Sequence, residues 1–329
     1  MKDLIEEIKG FYSWLVKFLT NDIWNIKLED FGKAKRRGIK YLRVALVTIK
    51  EAGKDKLGLF SIALTFFSTL SLVPFLACCL AVTSGVGLER TLEELLLKSF
   101  SGNEEMVNYV LRFAGNIIND SAKNSFGVVS FVFFMCTIIW LMMNVEKAFN
   151  GIWKVERRRS ITKRFLYYIG ILIVGPFIML TFLSIYIFFH NVLNGIGIGL
   201  EFFPNIGYLL QWIIFYGIVV LAFTIMFKYI PNVKVRFDAA FPASLITALA
   251  FVGMQFIYLE TQLMVSRMNA VYGAFAAIPL FLIWMNISWT IILIGAEISH
   301  ANQYVDAYDN DLDSLEAEVK NRINHESDN

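Results

Sequence analysis

Residues 273–299 read GAFAAIPLFLIWMNISWTIILIGAEIS, an apolar run that contains no Lys or Arg. A helix needs roughly 20 mostly apolar residues to cross the hydrocarbon core of a membrane. Because lipid offers no hydrogen-bond partner to backbone groups, a run of this length predicts a transmembrane helix. Glu297 lies in its last two turns and follows uninterrupted apolar sequence.

Five further stretches have the same character, with basic residues only at their ends: about 57–82, 126–148, 165–190, 205–230 and 238–260. The chain is 57% hydrophobic and 18% charged, whereas a soluble chain is about half apolar and a quarter charged. The sequence therefore predicts an all-α fold, a polytopic membrane helix bundle with about six transmembrane helices.

The basic residues alternate from loop to loop. Lys and Arg number 25 in the first set of segments, which comprises 1–56, 147–164, 228–238 and the end after 300. The other set holds five, all within 83–125, 191–204 and 261–272. Because loops on the cytoplasmic side carry the basic excess, this pattern predicts a multi-pass protein with both termini in the cytoplasm.

Segments outside the spans define three further regions. Residues 1–56 contain two amphipathic helices, about 4–19 and 34–51. The second places Ile39, Leu42, Leu46 and Ile49 on one face and basic residues, Arg43 among them, elsewhere. It reads as an interfacial helix on anionic lipid, or as a cytosolic helix docked on the bundle. Residues 83–125 predict an outer two-helix cap, and 300–329 an acidic cytoplasmic tail after the membrane domain 57–299.

The first span carries a stripe of small hydroxyls, Ser61, Thr65, Ser68 and Ser71, followed by Pro74. Such a stripe lines a polar path, or it is a close-packing face on which hydroxyls bond between helices. Proline also lies within later spans, as Pro176, Pro242 and Pro279. Each proline removes a backbone hydrogen bond and invites a break of the kind that transporters use at binding sites, although proline is also simply commoner in membrane helices.

Acidic residues near the ends of spans are the candidates for coupling chemistry: Glu146, Asp238, Glu260 and Glu297. Charges at membrane depth are costly and usually face a bundle interior or water, although a structural ion pair explains them equally well. Glu297 is the preferred functional candidate. His300 follows one turn later, which allows a proton relay or a histidine without any special role.

No pattern typical of a metal, cofactor or hydrolase site is present in the sequence. The three histidines, His190, His300 and His325, are widely spaced, and the cysteines lie inside spans. No phosphate-binding loop or nucleophile elbow occurs. We therefore expect no catalytic residues, no metal and no cofactor, and we expect the basic segments to meet lipid head groups and no nucleic acid.

Four segments resemble the YihY/BrkB family of bacterial inner-membrane proteins: GLFSIALTFFSTLSLVP (58–74), EKAFNGIWKVERRRS (146–160), PNVKVRFDAAFPASL (231–245), and VYGAFAAIPLFLIWM with LIGAEISHA (271–301). The resemblance runs in order from about 40 to 303. It implies a six-span protein of the bacterial inner membrane. The family also carries an older label, ribonuclease BN, which denotes a tRNA-processing enzyme. Such an enzyme needs clustered metal ligands, which this sequence lacks.

The resemblance further implies roles in the envelope, such as serum resistance and export of lipopolysaccharide or lipid. By position in these motifs, it singles out Pro74, Asn150, Trp153, Arg157, Pro231, Asn232, Arg236, Asp238, Tyr272, Gly273 and Glu297. Ala243 stands where the family commonly has Gly. This departure questions a tight backbone approach at that position.

Two hypotheses about function follow. The first is transport or flipping of an envelope lipid or other amphiphile without ATP hydrolysis. Its candidate path and coupling residues are Ser61, Thr65, Ser68, Ser71, Pro74, Glu146, Asn150, Arg157, Asn232, Arg236, Asp238, Tyr272, Gly273 and Glu297. The second is a non-transporting scaffold that organises envelope proteins through the outer cap and the soluble ends. A ribonuclease is the reading that the residues support least.

Overall fold

The computed structural model describes residues 18, 23–26, 31–85, 90, 93–94, 97, 107–109, 111–112, 125–155, 205–266 and 270–305. Within these residues every regular element is a helix. The helices are α1 (Ile23–Asn25), α2 (Lys33–Lys54), α3 (Leu57–Gly85), α4 (Ser125–Ile152), α5 (Asn205–Tyr229), α6 (Phe237–Ser266) and α7 (Ala270–Tyr304).

Helices α3 to α6 begin within one residue of predicted spans. Two described helices are long and apolar enough to cross a membrane, Phe237–Gln262 of α6 and Ile278–Tyr304 of α7. A third candidate joins α2 to Leu57–Leu72 of α3 across a bend of 69°. The all-helical class is thus confirmed for the described residues, whereas the count of six spans stays a prediction. The span at 165–190, most of the cap at 83–125 and the tail after 305 lie outside them.

One hydrophobic core joins the start of α3 and α6 to the end of α4, α5 and α7. Its fully buried side chains include Leu64, Phe149, Phe227, Ala243 and Leu293. We call this part of the molecule the basic end, because the segments that connect these helices carry the basic excess seen in the sequence. Helix α7 lies at its centre and contacts α2, α3, α4, α5 and α6.

Large apolar side chains also cover the outer surface of the bundle. Leu59 and Phe66 of α3, Leu249 and Ile257 of α6 and Ile283 of α7 are all more than half exposed. In a soluble protein so many exposed aliphatic and aromatic groups would promote association. On helices of this length they are typical of a surface that contacts lipid hydrocarbon.

Helix α2 contacts the bundle through an unexpected face. Val44 and Val47 pack against Ala301 and Val305 beyond the predicted end of the last span. Of the predicted apolar stripe, Leu42 and Ile49 are exposed, at 40% and 74%, whereas Ile39 and Leu46 are half-buried. One face of the helix thus docks on the bundle, as the second reading expects, whereas the interfacial reading stays a prediction.

The structure corrects the placement of Arg43. Its side chain is buried, and its guanidinium donates hydrogen bonds to the carbonyl oxygens of Ile23 (2.7 Å) and Ile26 (2.8 Å). Carbonyl groups at a helix end have no partner within the helix, and a buried cation satisfies them well. Arg43 therefore joins α1 to α2 and does not lie on a lipid-facing surface.

The prolines do not interrupt the described helices. The backbone stays helical through Pro74 of α3, Pro242 of α6 and Pro279 of α7. The predicted breaks at these three positions are therefore absent. The side chain of Pro74 lies outside the described residues.

Candidate functional site

Charged side chains from three segments meet at the basic end. Glu51 lies in the last turn of α2, Asp55 in the turn before α3, and Lys154 directly after α4. The Lys154 ammonium forms an ion pair with Glu51 Oε2 at 3.3 Å and a short hydrogen bond with Asp55. Lys54 also contacts Glu51 Oε1, at 3.4 Å, from a more exposed position. These contacts hold the bend between α2 and α3 against the end of α4.

The local backbone explains how Lys154 reaches this position. Helix α4 ends in a turn where Lys154 N–H donates to the Gly151 oxygen (3.1 Å) and Val155 N–H to the Asn150 oxygen (2.9 Å). Lys154 itself has a φ of 53°. This turn usually has glycine there, because another residue costs about 1 kcal/mol in the left-handed region. A lysine at this position indicates that its side-chain contacts outweigh that cost.

The pKa of Lys154 reflects the same surroundings. Burial lowers the pKa of the ammonium, but the hydrogen bond that it donates to Asp55 and the negative charges of Asp55, Glu51 and Glu297 raise it by more. The result is a pKa above the ordinary value of 10.5. Lys154 is therefore a permanent cation near neutral pH, and Glu297 lies close enough to act on it.

Glu297 and His300 lie one turn apart on α7 and are essentially inaccessible to solvent. His300 Nδ1 is 3.7 Å from Glu297 Oε1, beyond hydrogen-bond distance. Neither carboxylate oxygen and neither imidazole nitrogen has a hydrogen-bond partner among the described residues. Since native proteins rarely bury such groups unpaired, these atoms need an explanation beyond packing.

Aromatic rings enclose the histidine. The Trp153 ring lies edge-on to the His300 ring with centroids 5.2 Å apart, and Tyr304 contacts both rings. Trp153 is fully buried, and its indole N–H also lacks a partner among the described residues. Since Glu297 and His300 are both buried, bulk water does not reach the pair, which strengthens every charge interaction around it.

Amide side chains attach the loop after α5 to the ends of α4 and α7. Asn150 Oδ1 accepts a hydrogen bond from Asn232 N–H at 2.8 Å. Gln303 accepts one from Arg236 N–H (2.9 Å) and donates one to the Lys234 oxygen (3.2 Å). These bonds explain two predicted site residues, Asn150 and Asn232, as parts of a structural connection.

Asn302 has a related role at the start of α6. Pro242 has no N–H, so the carbonyl oxygen of Asp238, four residues earlier, loses its helical partner. Asn302 Nδ2 donates to that oxygen at 3.1 Å. The helix therefore continues through Pro242 because a side chain of α7 replaces the missing bond.

We expect Gln303→Ala to lower the stability of the protein by about 2 kcal/mol, because it removes two hydrogen bonds to backbone groups of the loop. The measurement is the apparent melting temperature of the purified protein in detergent. Gln255→Ala on α6, which is half-buried and away from this loop, is the control. Equal melting temperatures for the two variants would contradict a stabilising role for Gln303.

The hydroxyl stripe of α3 faces α7. Trp289 Nε1 donates to Ser68 Oγ at 2.9 Å, and Asn286 Nδ2 donates to Ser61 Oγ at 3.3 Å. Thr65 Oγ1 bonds back to the Ser61 carbonyl oxygen at 2.7 Å, and Ser71 to that of Ser68 at 3.1 Å. Of the two readings of the stripe, these contacts favour a packing face between two helices.

The remaining predicted residues are dispersed. Glu146 is buried on α4. Arg236 and Asp238 form an exposed ion pair at 3.2 Å. Arg157 lies outside the described residues, as do the side chains of Pro74 and Tyr272 and the surroundings of Gly273.

Sequence reasoning overlooked Glu51, Asp55, Lys154, Asn302 and Gln303. One signal was available, because Glu51 and Asp55 are the sole acids between 33 and 56 and are four residues apart within a basic stretch. Such a pair on a basic helix predicts a specific cationic partner. No signal of this kind marks Asn302 or Gln303.

Within the described residues no group of three or more His, Cys, Asp or Glu side chains is arranged to hold a metal ion. The contacts of Lys154 with Glu51 and Asp55 combine two acids with one cation. The Glu297–His300 pair lies beside them. Chemically, this arrangement suits the binding of protons and the positioning of charge at the end of a helix bundle.

Comparison with known proteins gives the family. The profile of the family described as Virulence factor BrkB matches residues 48–319. A UPF0761 membrane protein of Paraburkholderia xenovorans is 31% identical over 268 residues, which cover 79% of this chain and 59% of that protein. One from Acinetobacter baylyi is 31% identical over 242 residues, which cover 73% and 57% of the two chains.

The chain thus aligns with less than two thirds of the length of these relatives. No solved structure matches it significantly. The family match covers α3 to α7, the Lys154 contacts and the Glu297–His300 pair. Because the family match covers most of its length, the chain is a membrane protein that belongs to the BrkB family.

Proposed function

We propose that the protein moves an envelope lipid or another amphiphile across the bacterial inner membrane without ATP hydrolysis. The observation that carries the proposal is Glu297, a fully buried carboxyl group near the end of a long, mainly apolar helix, with no hydrogen-bond partner among the described residues. A purely structural helix would gain stability from an apolar residue there, since burying an unpaired charge is expensive. Its presence therefore favours a role in function.

The charge pattern supports an amphiphile with an anionic head group as the substrate. The basic end would lie in the cytoplasm, with both termini on that side, as the positive-inside rule predicts. Basic residues there attract phosphate or other anionic head groups, each contributing about 1 kcal/mol near an anionic surface. The exposed residues of the apolar stripe of α2 would rest in the same interface. An amphiphile presents both features that this end can bind, a charged head group and a hydrocarbon tail.

The test is transport by purified protein in vesicles of phosphatidylethanolamine and phosphatidylglycerol. Fluorescent phospholipid is placed in one leaflet, and its appearance in the other is followed by chemical quenching. We expect wild-type protein to accelerate the exchange, and Glu297→Gln to slow it about tenfold, which corresponds to ~1.4 kcal/mol in the barrier. Glu260→Gln, at an exposed acid of α6, is the matched control and should leave the rate unchanged.

Wild-type protein that exchanges no phospholipid faster than protein-free vesicles, with or without a pH gradient, would overturn the proposal. The scaffold hypothesis would then remain. It predicts that deleting residues 83–125 or 1–33 abolishes the activity of the protein in the cell, whereas Glu297→Gln leaves that activity unchanged. No hydrolytic step is part of either proposal.

A further inference from the structure

We propose that Glu297 and His300 form one proton-binding site, in which the two side chains share one titratable proton in addition to the N–H that a neutral imidazole carries. The proposal goes beyond lipid movement, because a proton can bind here whether or not the protein transports anything. Its basis is that all four polar atoms of the pair are buried and lack hydrogen-bond partners among the described residues. The pair also lies 3.7 Å apart at its closest atoms, Glu297 Oε1 and His300 Nδ1.

Charge balance requires the proton. An ionised Glu297 beside a neutral His300 leaves one buried negative charge. Lys154 is a permanent cation close enough to act on Glu297, but it already contacts the carboxylates of Glu51 and Asp55. Burial of an uncompensated charge costs several kcal/mol, so the site takes up one proton and becomes neutral.

The neutral pair has two forms, with the proton on Glu297 or on His300. In the first form the carboxylic acid Oε1–H faces the imidazole Nδ1. In the second the proton has moved to Nδ1, which leaves a carboxylate next to an imidazolium. The two atoms would come within hydrogen-bond distance if they moved about half an ångström closer. Long hydrogen bonds in free proteins often shorten by such an amount when a ligand binds.

The surrounding groups define what else acts on the pair. From α2 and the following turn come Glu51 and Asp55, and after α4 comes Lys154. Glu146 is the further buried acid of α4. Helices α5 and α6 contribute Phe227 and Thr247, whose side chains lie next to Gly295, two residues before Glu297. Neither side chain is titratable.

A proton fits this place better than a larger ligand. The rings of Trp153, His300 and Tyr304 contact one another with centroids 5.1 to 6.1 Å apart, so they close around the site. No three metal-ligating side chains converge in the described residues. A proton needs neither a cavity nor a third ligand.

Loss of the proton would change the electrostatic surroundings of the Lys154 ammonium. Glu297 is among the negative charges that raise the pKa of Lys154. When Glu297 ionises without a charged His300, it competes with Glu51 and Asp55 for the same ammonium. The proton on α7 is thereby linked to the ion pairs that hold the bend between α2 and α3.

The test is infrared difference spectroscopy of the whole protein labelled with ¹³C at glutamate carboxyls, titrated between about pH 5 and 8 in detergent. We expect a carboxylic acid C=O band that titrates in this range, is absent from Glu297→Gln and persists in Glu260→Gln. In His300→Gln the band should remain but titrate with a midpoint shifted by about one pH unit or more, because coupled groups titrate together.

A wild-type band that is missing, or that stays constant through the titration, would overturn the proposal. So would an unchanged midpoint in His300→Gln, since the two residues would then not form a pair. The wild-type titration needs no substitution, so a variant that fails to fold leaves the proposal open to refutation. The measurement uses no lipid gradient, and its failure is therefore distinguishable from failure of the proposed transport.

Discussion

Gly295→Ala will destabilise the protein by about 2–3 kcal/mol, as overpacking of a tight core does. A Cβ at this position would lie 2.0 Å from Thr247 Oγ1, 2.8 Å from Thr247 Cγ2 and 2.7 Å from Phe227 Cζ. These distances are too short for real contacts, so the side chains of Thr247 and Phe227, or the helices that carry them, must shift. The measurement is the apparent melting temperature of purified protein in detergent.

Gly253→Ala on α6 is the matched control, because a Cβ there would have no atom within 4 Å. Both substitutions place alanine in a helix and gain up to about 1 kcal/mol of helix propensity, so the difference between them isolates the collision. The double variant Gly295→Ala with Thr247→Ala removes both threonine atoms involved and should recover part of the loss. If Gly295→Ala melts at the same temperature as Gly253→Ala, the close approach of the helices is wrong.

Lys154→Ala will destabilise the protein by about 3 kcal/mol, because it leaves the mostly buried Asp55 without its cation and Glu51 with only the more exposed Lys54. The side chains of Lys154, Glu51 and Asp55 are 18%, 8% and 12% exposed, so solvent screens them only weakly. Lys154→Gly should lose about 1 kcal/mol less, since glycine accepts the left-handed backbone at no steric cost. Melting temperatures of the variants in detergent measure both effects.

Lys56→Gly provides the control for the backbone contribution. Lys56 has nearly the same backbone angle, with φ of 52°, but its side chain is exposed. We expect Lys56→Gly to be neutral or slightly stabilising. A Lys154→Ala variant as stable as the wild type would show that the ion pairs contribute nothing.

The effect of pH on this cluster follows from the raised pKa of Lys154. A cation whose pKa is raised by folding contributes its full stability below the ordinary value of 10.5 and loses it only as pH rises through the higher folded value. The cost of Lys154→Ala should therefore be equal at about pH 7 and pH 9.

Some of the candidate site was predictable from local sequence. Glu297 and His300 stood out because a charge directly after a long apolar run is rare and costly. The hydroxyl stripe was recognisable from its helical spacing, but spacing cannot say whether a neighbouring helix covers it. Trp289 and Asn286 answered that question through bonds across more than 220 residues of chain.

For the described residues, the sequence by itself determined which segments are apolar helices and where four of them begin. It could do so because the cost of exposing backbone groups to lipid depends on local composition alone. The family was also evident from its four motifs, and its match confirms that prediction.

Only the tertiary structure decided which charges meet. Asp55 and Lys154 are 99 residues apart, and both lie in segments that look like ordinary basic loops. Their pairing depends on how α2, α4 and α7 pack, as does the replacement of the bond lost at Pro242 by Asn302. A long-range pair has no local signature, because its energy arises only when the fold removes both partners from water.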